Sequence, residues 1–115
     1  MVRVESLKKS SHFKIALREK KFHTEFFSIY AAKNFIKVNP KKILNISFVM
    51  KKKIGNAVKR NRIKRKLKAI VIKLLKIKGA INFDYTYIVF GKTKAYTEKQ
   101  KVLLLEMNKI FKKIK

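Results

Sequence analysis

From Lys51 to Lys68, ten of eighteen residues are Lys or Arg and none is acidic. Such a stretch folds only if it turns an apolar stripe inward and leaves its cations outside. Val58, Leu67, Ile70, Val71, Leu74 and Leu75 supply that stripe, lining one helical face between about residues 56 and 77. The opposite face then holds the arginines. Arg60/Lys64 and Arg62/Lys66 are like-charged i,i+4 pairs, each costing about 0.2–0.5 kcal/mol, and no acid is interleaved to relieve them. A helix of this kind makes most physical sense with phosphates beside it.

The residues around the stretch set its context. Leu44, Ile46, Phe48 and Met50 alternate along Ile43 to Met50, which reads as a strand entered from the turn Asn39-Pro40-Lys41-Lys42. Gly55-Asn56 permits a tight strand-to-helix turn, leaving free backbone N–H groups and Lys52/Lys53 at the positive end of the helix dipole. Upstream, Ser10 or Ser11 can cap a short helix carrying Phe13, Ala16 and Leu17 and ending near Lys20. Phe22 to Ala32 reads as strand with a break near Thr24, and the short loop before Ile43 predicts a hairpin of two or three antiparallel strands. Lys78-Gly79 ends the basic helix, and Asp84 to Gly91 is a further strand. Thr97 with Gln100 fits a capping box for a last helix with Gln100, Leu104, Met107, Phe111 and Ile114 on one face. The order is helix, two or three strands, helix, strand, helix: one domain over residues 1–115, of α+β sandwich type.

The whole chain has 115 residues and a net charge of +26, so its partner is expected to be polyanionic rather than a neutral metabolite. Apolar residues at 47% are enough for a core, which separates the chain from a disordered basic tail. All six acids lie outside residues 26–83, a segment with 17 Lys and Arg. Arginine is rarer and more localised: three of the five, Arg60, Arg62 and Arg65, fall within six residues. Its planar fork grips phosphate or a base edge where lysine offers a point charge, so residues 60–65 read as a contact surface.

Other chemistries are poorly served. With no cysteine there is no thiolate nucleophile or cysteine zinc site, and His12 and His23 stand far from any carboxylate pair, so no metal ligands are assigned. No secretory signal or membrane-spanning segment is evident. Six scattered acids are a poor basis for two-metal hydrolysis by the protein itself.

The stretch Lys52-Lys-Ile-Gly-Asn-Ala-Val-Lys-Arg-Asn-Arg-Ile-Lys-Arg65 resembles the signature of the bacterial ribonuclease P protein family, with Arg60-Asn61-Arg62 as its hallmark. The likeness extends from Leu7-Lys-Lys and Ser11-His-Phe13 through Phe27-Ser-Ile-Tyr30 to Phe83-Asp-Tyr-Thr-Tyr-Ile-Val-Phe90 and the last helix. It implies a small, mainly antiparallel four-stranded sheet with three helices, order αβββαβα, and a left-handed βαβ crossover against the usual rule. It also implies a non-catalytic subunit: an RNA partner, using Mg²⁺ bound mainly by that RNA, removes the 5′ leader of precursor tRNA in the bacterial cytoplasm.

By match to the motif, Lys52, Lys53, Asn56, Arg60, Asn61, Arg62, Lys64, Arg65 and Lys68 would contact the catalytic RNA. A cleft between the first helix and the sheet, with Phe13, Leu17 and Tyr30, would hold the leader, an aromatic face stacking on a base for about 1–3 kcal/mol. Both Arg60 and Arg62 are expected to be exposed. The chain departs from the family pattern at Leu17 (often aromatic), Asn45 and Ser47 (often arginine and glycine), Lys51 (serine), and Lys68 and Lys92 (arginine). A basic ribosomal protein binding rRNA is the alternative. A basic helix at an anionic membrane is a lesser one, since the helix has sheet partners, and no small-molecule substrate is expected.

Overall fold

The computed structural model describes residues 3–5, 10–18, 20–33, 43–77, 79–82 and 85–114. The elements are β1 (Arg3–Glu5), α1 (Ser10–Leu17), β2 (Lys20–His23), β3 (Phe27–Lys33), β4 (Ile43–Val49), α2 (Ala57–Leu75), β5 (Tyr85–Gly91) and α3 (Gln100–Lys113). Two 3-10 turns, Lys52–Ile54 and Thr93–Tyr96, precede α2 and α3. The turn at residues 39–42, residues 7–9, Lys78, Phe83 and Asp84 lie outside the described residues, as do the side chains of Ser10, Ser11 and His12.

The strands form one sheet in the order β1-β4-β5-β3-β2. β4 is parallel to both β1 and β5, while β3 is antiparallel to both β5 and β2. The expected order αβββαβα is present, preceded by the three-residue β1. That addition makes a fifth strand, and the pairing is mixed rather than mainly antiparallel. The hairpin forms between β2 and β3, not across the loop before Ile43, because β5 inserts between β3 and β4. Central position explains composition: β3 and β5 are paired along both edges and are apolar or small almost throughout. β2 is an edge strand, four residues long and largely exposed.

The break at Thr24 has a specific cause. Its Oγ1 accepts from the Phe26 and Phe27 N–H groups at 3.2 and 3.1 Å and donates to the Phe27 carbonyl at 2.9 Å, closing the β2–β3 turn with a side chain. Lys92 fastens this turn to the end of β5: its Nζ donates to the Thr24 carbonyl at 2.7 Å and its backbone N–H to the Phe26 carbonyl at 2.9 Å.

Two layers of unequal size cover the sheet. On one face, Ile63, Leu67, Ile70 and Leu74 of α2 and Leu103, Met107 and Phe111 of α3 pack with Phe27, Ile29, Leu44, Ile46, Tyr87 and Val89. Each fully buried aliphatic side chain there is worth about 1.5–3 kcal/mol. Tyr87 meets Phe111 edge-on at 5.1 Å and donates its hydroxyl proton to the Asn82 carbonyl at 2.6 Å. On the other face, Ala16 is the one fully buried residue among the described side chains of α1, against Ala32 and Ile88, with Phe13, Tyr30, Val49 and Phe90 half-buried around them. Among the described residues, much of this face therefore stays open.

Three local expectations change. Val58 is 70% exposed, because the inward stripe of α2 begins at Ile63 and Val58 lies off it. Thr97 closes the second 3-10 turn in an αR conformation, so the extended N-cap position of α3 falls to Lys99, no capping box forms, and Gln100 is exposed. α2 ends at Leu75, and Gly79, at φ +77°, turns the chain three residues after the Lys76 cap.

Candidate RNA-binding surface

On the open face, a groove of about 680 Å³ runs between the end of α1 and the segment before α2. Its floor is the alternating outward set of three strands: His23 of β2, Ser28 and Tyr30 of β3, and Phe90 of β5. Pairing places these side by side, since Ser28 is opposite both His23 and Phe90, and Tyr30 is opposite Lys21. Leu17 of α1 forms one wall, and Lys51, Lys53 and Ile54 form another. Tyr30 and Phe90 meet edge-on at 5.5 Å, and each carries an ammonium over its ring: Lys21 at 5.1 Å from Tyr30, Lys51 at 5.5 Å from Phe90. Aromatic faces and cations alternate across the groove, the combination of stacking surface and positive charge that suits single-stranded nucleic acid.

His23 Nδ1 lies 2.8 Å from Ser28 Oγ. Desolvation against the groove wall, followed by the charges of Lys21 and Lys92, holds the imidazole below its usual pKa of 6.5. At neutral pH His23 is therefore an uncharged donor and acceptor among cations.

The basic stretch begins at this groove and continues onto α2. Asn56 Oδ1 accepts from the Lys59 N–H at 3.0 Å, capping the helix. Gly55 reaches this cap at φ +152°, a conformation that favours glycine. Beyond the cap, the cations divide between two flanks. Arg60 and Lys64 border a depression of about 250 Å³ with Phe48 and Met50 of β4 and its end. Arg62 and Arg65 border another, of about 580 Å³, with Val58 and Gln100. Asn61 lines both. Lys68, exposed, continues the Arg60–Lys64 row by i,i+4 spacing.

The ribonuclease P family model matches residues 1–115. The chain belongs to the ribonuclease P protein family. It is 35% identical over 98 residues to the ribonuclease P protein component of a Nitratiruptor species, covering 82% of this chain and 76% of that one. To the ribonuclease P protein component of Streptococcus pneumoniae it is 30% identical over 113 residues, 92% and 85% of the two chains. In fold it is similar to the RNase P protein from Thermotoga maritima, with a TM-score of 0.75 at 22% identity over 96% of this chain and 98% of that one. The Staphylococcus aureus RNase P protein gives 0.68 at 24% identity, covering 95% and 93%. Membership makes this the protein component of the ribonucleoprotein that processes tRNA 5′ ends, and sets aside the ribosomal-protein alternative.

Within a ribonuclease P protein, the residues singled out from the sequence fall into distinct structural positions. Leu17, Tyr30 and Lys53 meet at the groove, and Arg60, Asn61, Arg62, Lys64 and Arg65 lie along α2. Lys52 is exposed beside them. Phe13 packs into the small cluster under α1 and is not on the groove wall. Asn56 has its side-chain oxygen engaged in the helix cap. Arg60 is half-buried rather than exposed, with Nε buried and without a protein partner, because its flank of α2 rests against the end of β4.

Sequence reasoning misses Phe90, Lys21, Lys51, His23 and Ser28 as groove residues. Strand alternation holds the signal for Phe90 and Ser28, which share the face of Tyr30; the cations over the rings depend on pairing that no local pattern specifies.

Among the described residues no three His, Cys, Asp or Glu side chains come together to hold a metal ion. No described helix is long and apolar enough to cross a membrane.

Proposed function

We propose that this ribonuclease P protein is the non-catalytic subunit of the bacterial cytoplasmic enzyme, binding the catalytic RNA and the single-stranded 5′ leader of precursor tRNA together. The observation that carries this reading is continuity: the segment Lys51 to Ile54 is at once a wall of the aromatic groove and the start of the basic stretch that runs onto α2. In this reading the leader lies in the groove over Tyr30 and Phe90, while Lys52, Lys53, Arg60, Asn61, Arg62, Lys64, Arg65 and Lys68 engage the catalytic RNA. Asn56 contributes by fixing the helix start. A leader held in the groove is then delivered to RNA held by the adjacent helix.

The protein's contribution is electrostatic and positional. Two large RNAs repel one another, and a domain of +26 between them replaces diffuse counterions with fixed cations. Less Mg²⁺ is then needed for the same assembly. Phosphodiester hydrolysis belongs to the RNA with its own Mg²⁺, and no step is assigned to a side chain of this chain.

The test is cleavage of a precursor tRNA by a bacterial ribonuclease P RNA at low Mg²⁺, with and without the protein. Restored cleavage at the mature 5′ end, together with no cleavage by the protein alone, is the expected result. Cleavage by RNA-free protein would overturn the non-catalytic assignment. Binding without any gain in cleavage, across several such RNAs, would overturn the subunit reading.

A further inference from the structure

Tyr96 belongs to no recognisable motif, yet it holds two cations of the basic stretch. It closes the 3-10 turn Thr93–Tyr96 between β5 and α3 and packs, half-buried, against the main core. Over its ring stand Lys59 Nζ at 5.1 Å and Arg62 Cζ at 5.8 Å from the centroid. These two residues lie one turn apart on α2, so a single aromatic ring serves a pair of like charges that would otherwise only repel.

The turn carrying the ring is itself fixed from α2. Lys66 Nζ donates to the carbonyls of Ala95 at 2.9 Å, Tyr96 at 3.0 Å and Glu98 at 2.6 Å. Lys66 is one turn beyond Arg62. The helix thus grips the turn with one ammonium, and the turn grips the helix's cations with one ring.

We infer that Tyr96 is a positioning residue that pre-orients Arg62, and with it Lys59, for RNA phosphates on the α3 flank of α2, an inference that rests on the catalytic-RNA reading above. The chemistry favours an aromatic here. A carboxylate at this place would also hold the guanidinium, but by neutralising the charge an RNA needs. A ring holds the cation through its quadrupole and leaves the full charge and the outer N–H groups available. A side chain already restricted loses less conformational freedom on binding. The same device recurs in the groove, where Tyr30 and Phe90 hold Lys21 and Lys51.

The experiment measures equilibrium binding of the full chain to a bacterial ribonuclease P RNA as a function of salt, for wild type, Tyr96→Leu, Tyr96→Phe, Arg62→Ala and the Arg62→Ala/Tyr96→Leu double variant. Tyr96→Leu is expected to weaken binding about 3- to 10-fold with an unchanged log–log salt slope, since no phosphate contact is deleted. Tyr96→Phe stays within about twofold, because the face is kept. In the Arg62→Ala background the effect of Tyr96→Leu shrinks.

Wild-type affinity in Tyr96→Leu, or an equal loss in both backgrounds, overturns the inference. So does a Tyr96→Phe loss as large as that of Tyr96→Leu. A wild-type chain that does not bind the RNA at all would instead overturn the reading beneath it. A measurement independent of any variant's folding is NMR of the free wild-type protein. Ring-current shifts of the Arg62 side-chain protons are expected, and their absence overturns the proposal.

Discussion

Lys66 reaches from α2 to the backbone before α3 and places its Nζ 2.6 Å from the Glu98 carbonyl, with Ala95 and Tyr96 as its other acceptors. In the most basic part of the chain, this ammonium is therefore a structural strut. Lys66→Met, which keeps the apolar stem, is expected to lower stability by about 1.5–3 kcal/mol, whereas Lys64→Met on the exposed surface should change it by less than about 0.5 kcal/mol. Thermal or urea unfolding distinguishes the two, and equal effects would show that the strut contributes nothing.

Gly91 ends β5 where a Cβ would meet the Met50 sulfur and, at 2.9 Å, Ile63 Cγ2. Gly91→Ala should therefore cost about 1–3 kcal/mol through overpacking, read from the urea midpoint. A neutral result would mean that β5 and α2 separate easily at this point.

Tyr30 offers its ring to the groove beneath Lys21. Tyr30→Leu is expected to weaken binding of precursor tRNA by about 1–3 kcal/mol, the range for one base stack, while leaving binding of mature tRNA and of the catalytic RNA unchanged. Tyr30→Phe should retain the affinity. If mature tRNA suffers equally, the groove does not hold the leader.

His23 gives a pH signature with a defined sign. Its folded-state pKa lies below 6.5, through desolvation first and then Lys21 and Lys92. Between the two pKa values the unfolded chain binds the proton that the folded chain refuses, so stability falls as pH drops below about 6.5 and returns as pH rises. The thermal midpoint of wild type should fall relative to that of His23→Gln as pH drops from neutral to acid. Parallel curves would show that the imidazole is not held neutral by its surroundings.

Binding to RNA should be strongly salt-dependent. About six phosphates neutralised on a single-stranded region give a log–log slope near −4. A slope near zero would sink the electrostatic account.

How much of this was legible without a structure differed by element. The α2 surface was readable because helical spacing is local: a run of cations with an inward stripe at Leu67, Ile70, Val71 and Leu74 allows one solution. The error at Val58 came from extending that stripe one step too far toward the cap. Sheet order was not readable, because the insertion of β5 between β3 and β4 is a long-range choice that the loop before Ile43 could not reveal. Phe90 escaped notice as a groove residue for the same reason. Lys66 and Arg60 looked like any other cation of the run, and only the approach of the α3 and β4 segments tells strut from contact.

The short edge strand β2 has a consequence for the protein before it meets any RNA. An unpaired strand edge is a template onto which another chain's strand can add. Here the edge is four residues long, with Lys20 and Lys21 exposed along it. Two copies approaching edge to edge would bring lysine against lysine, within molecules that already carry +26 each. Newly made chains waiting for their RNA are thus discouraged from stacking into fibrils, and once phosphates quench the long-range repulsion, the lysines on the edge itself remain as the guard.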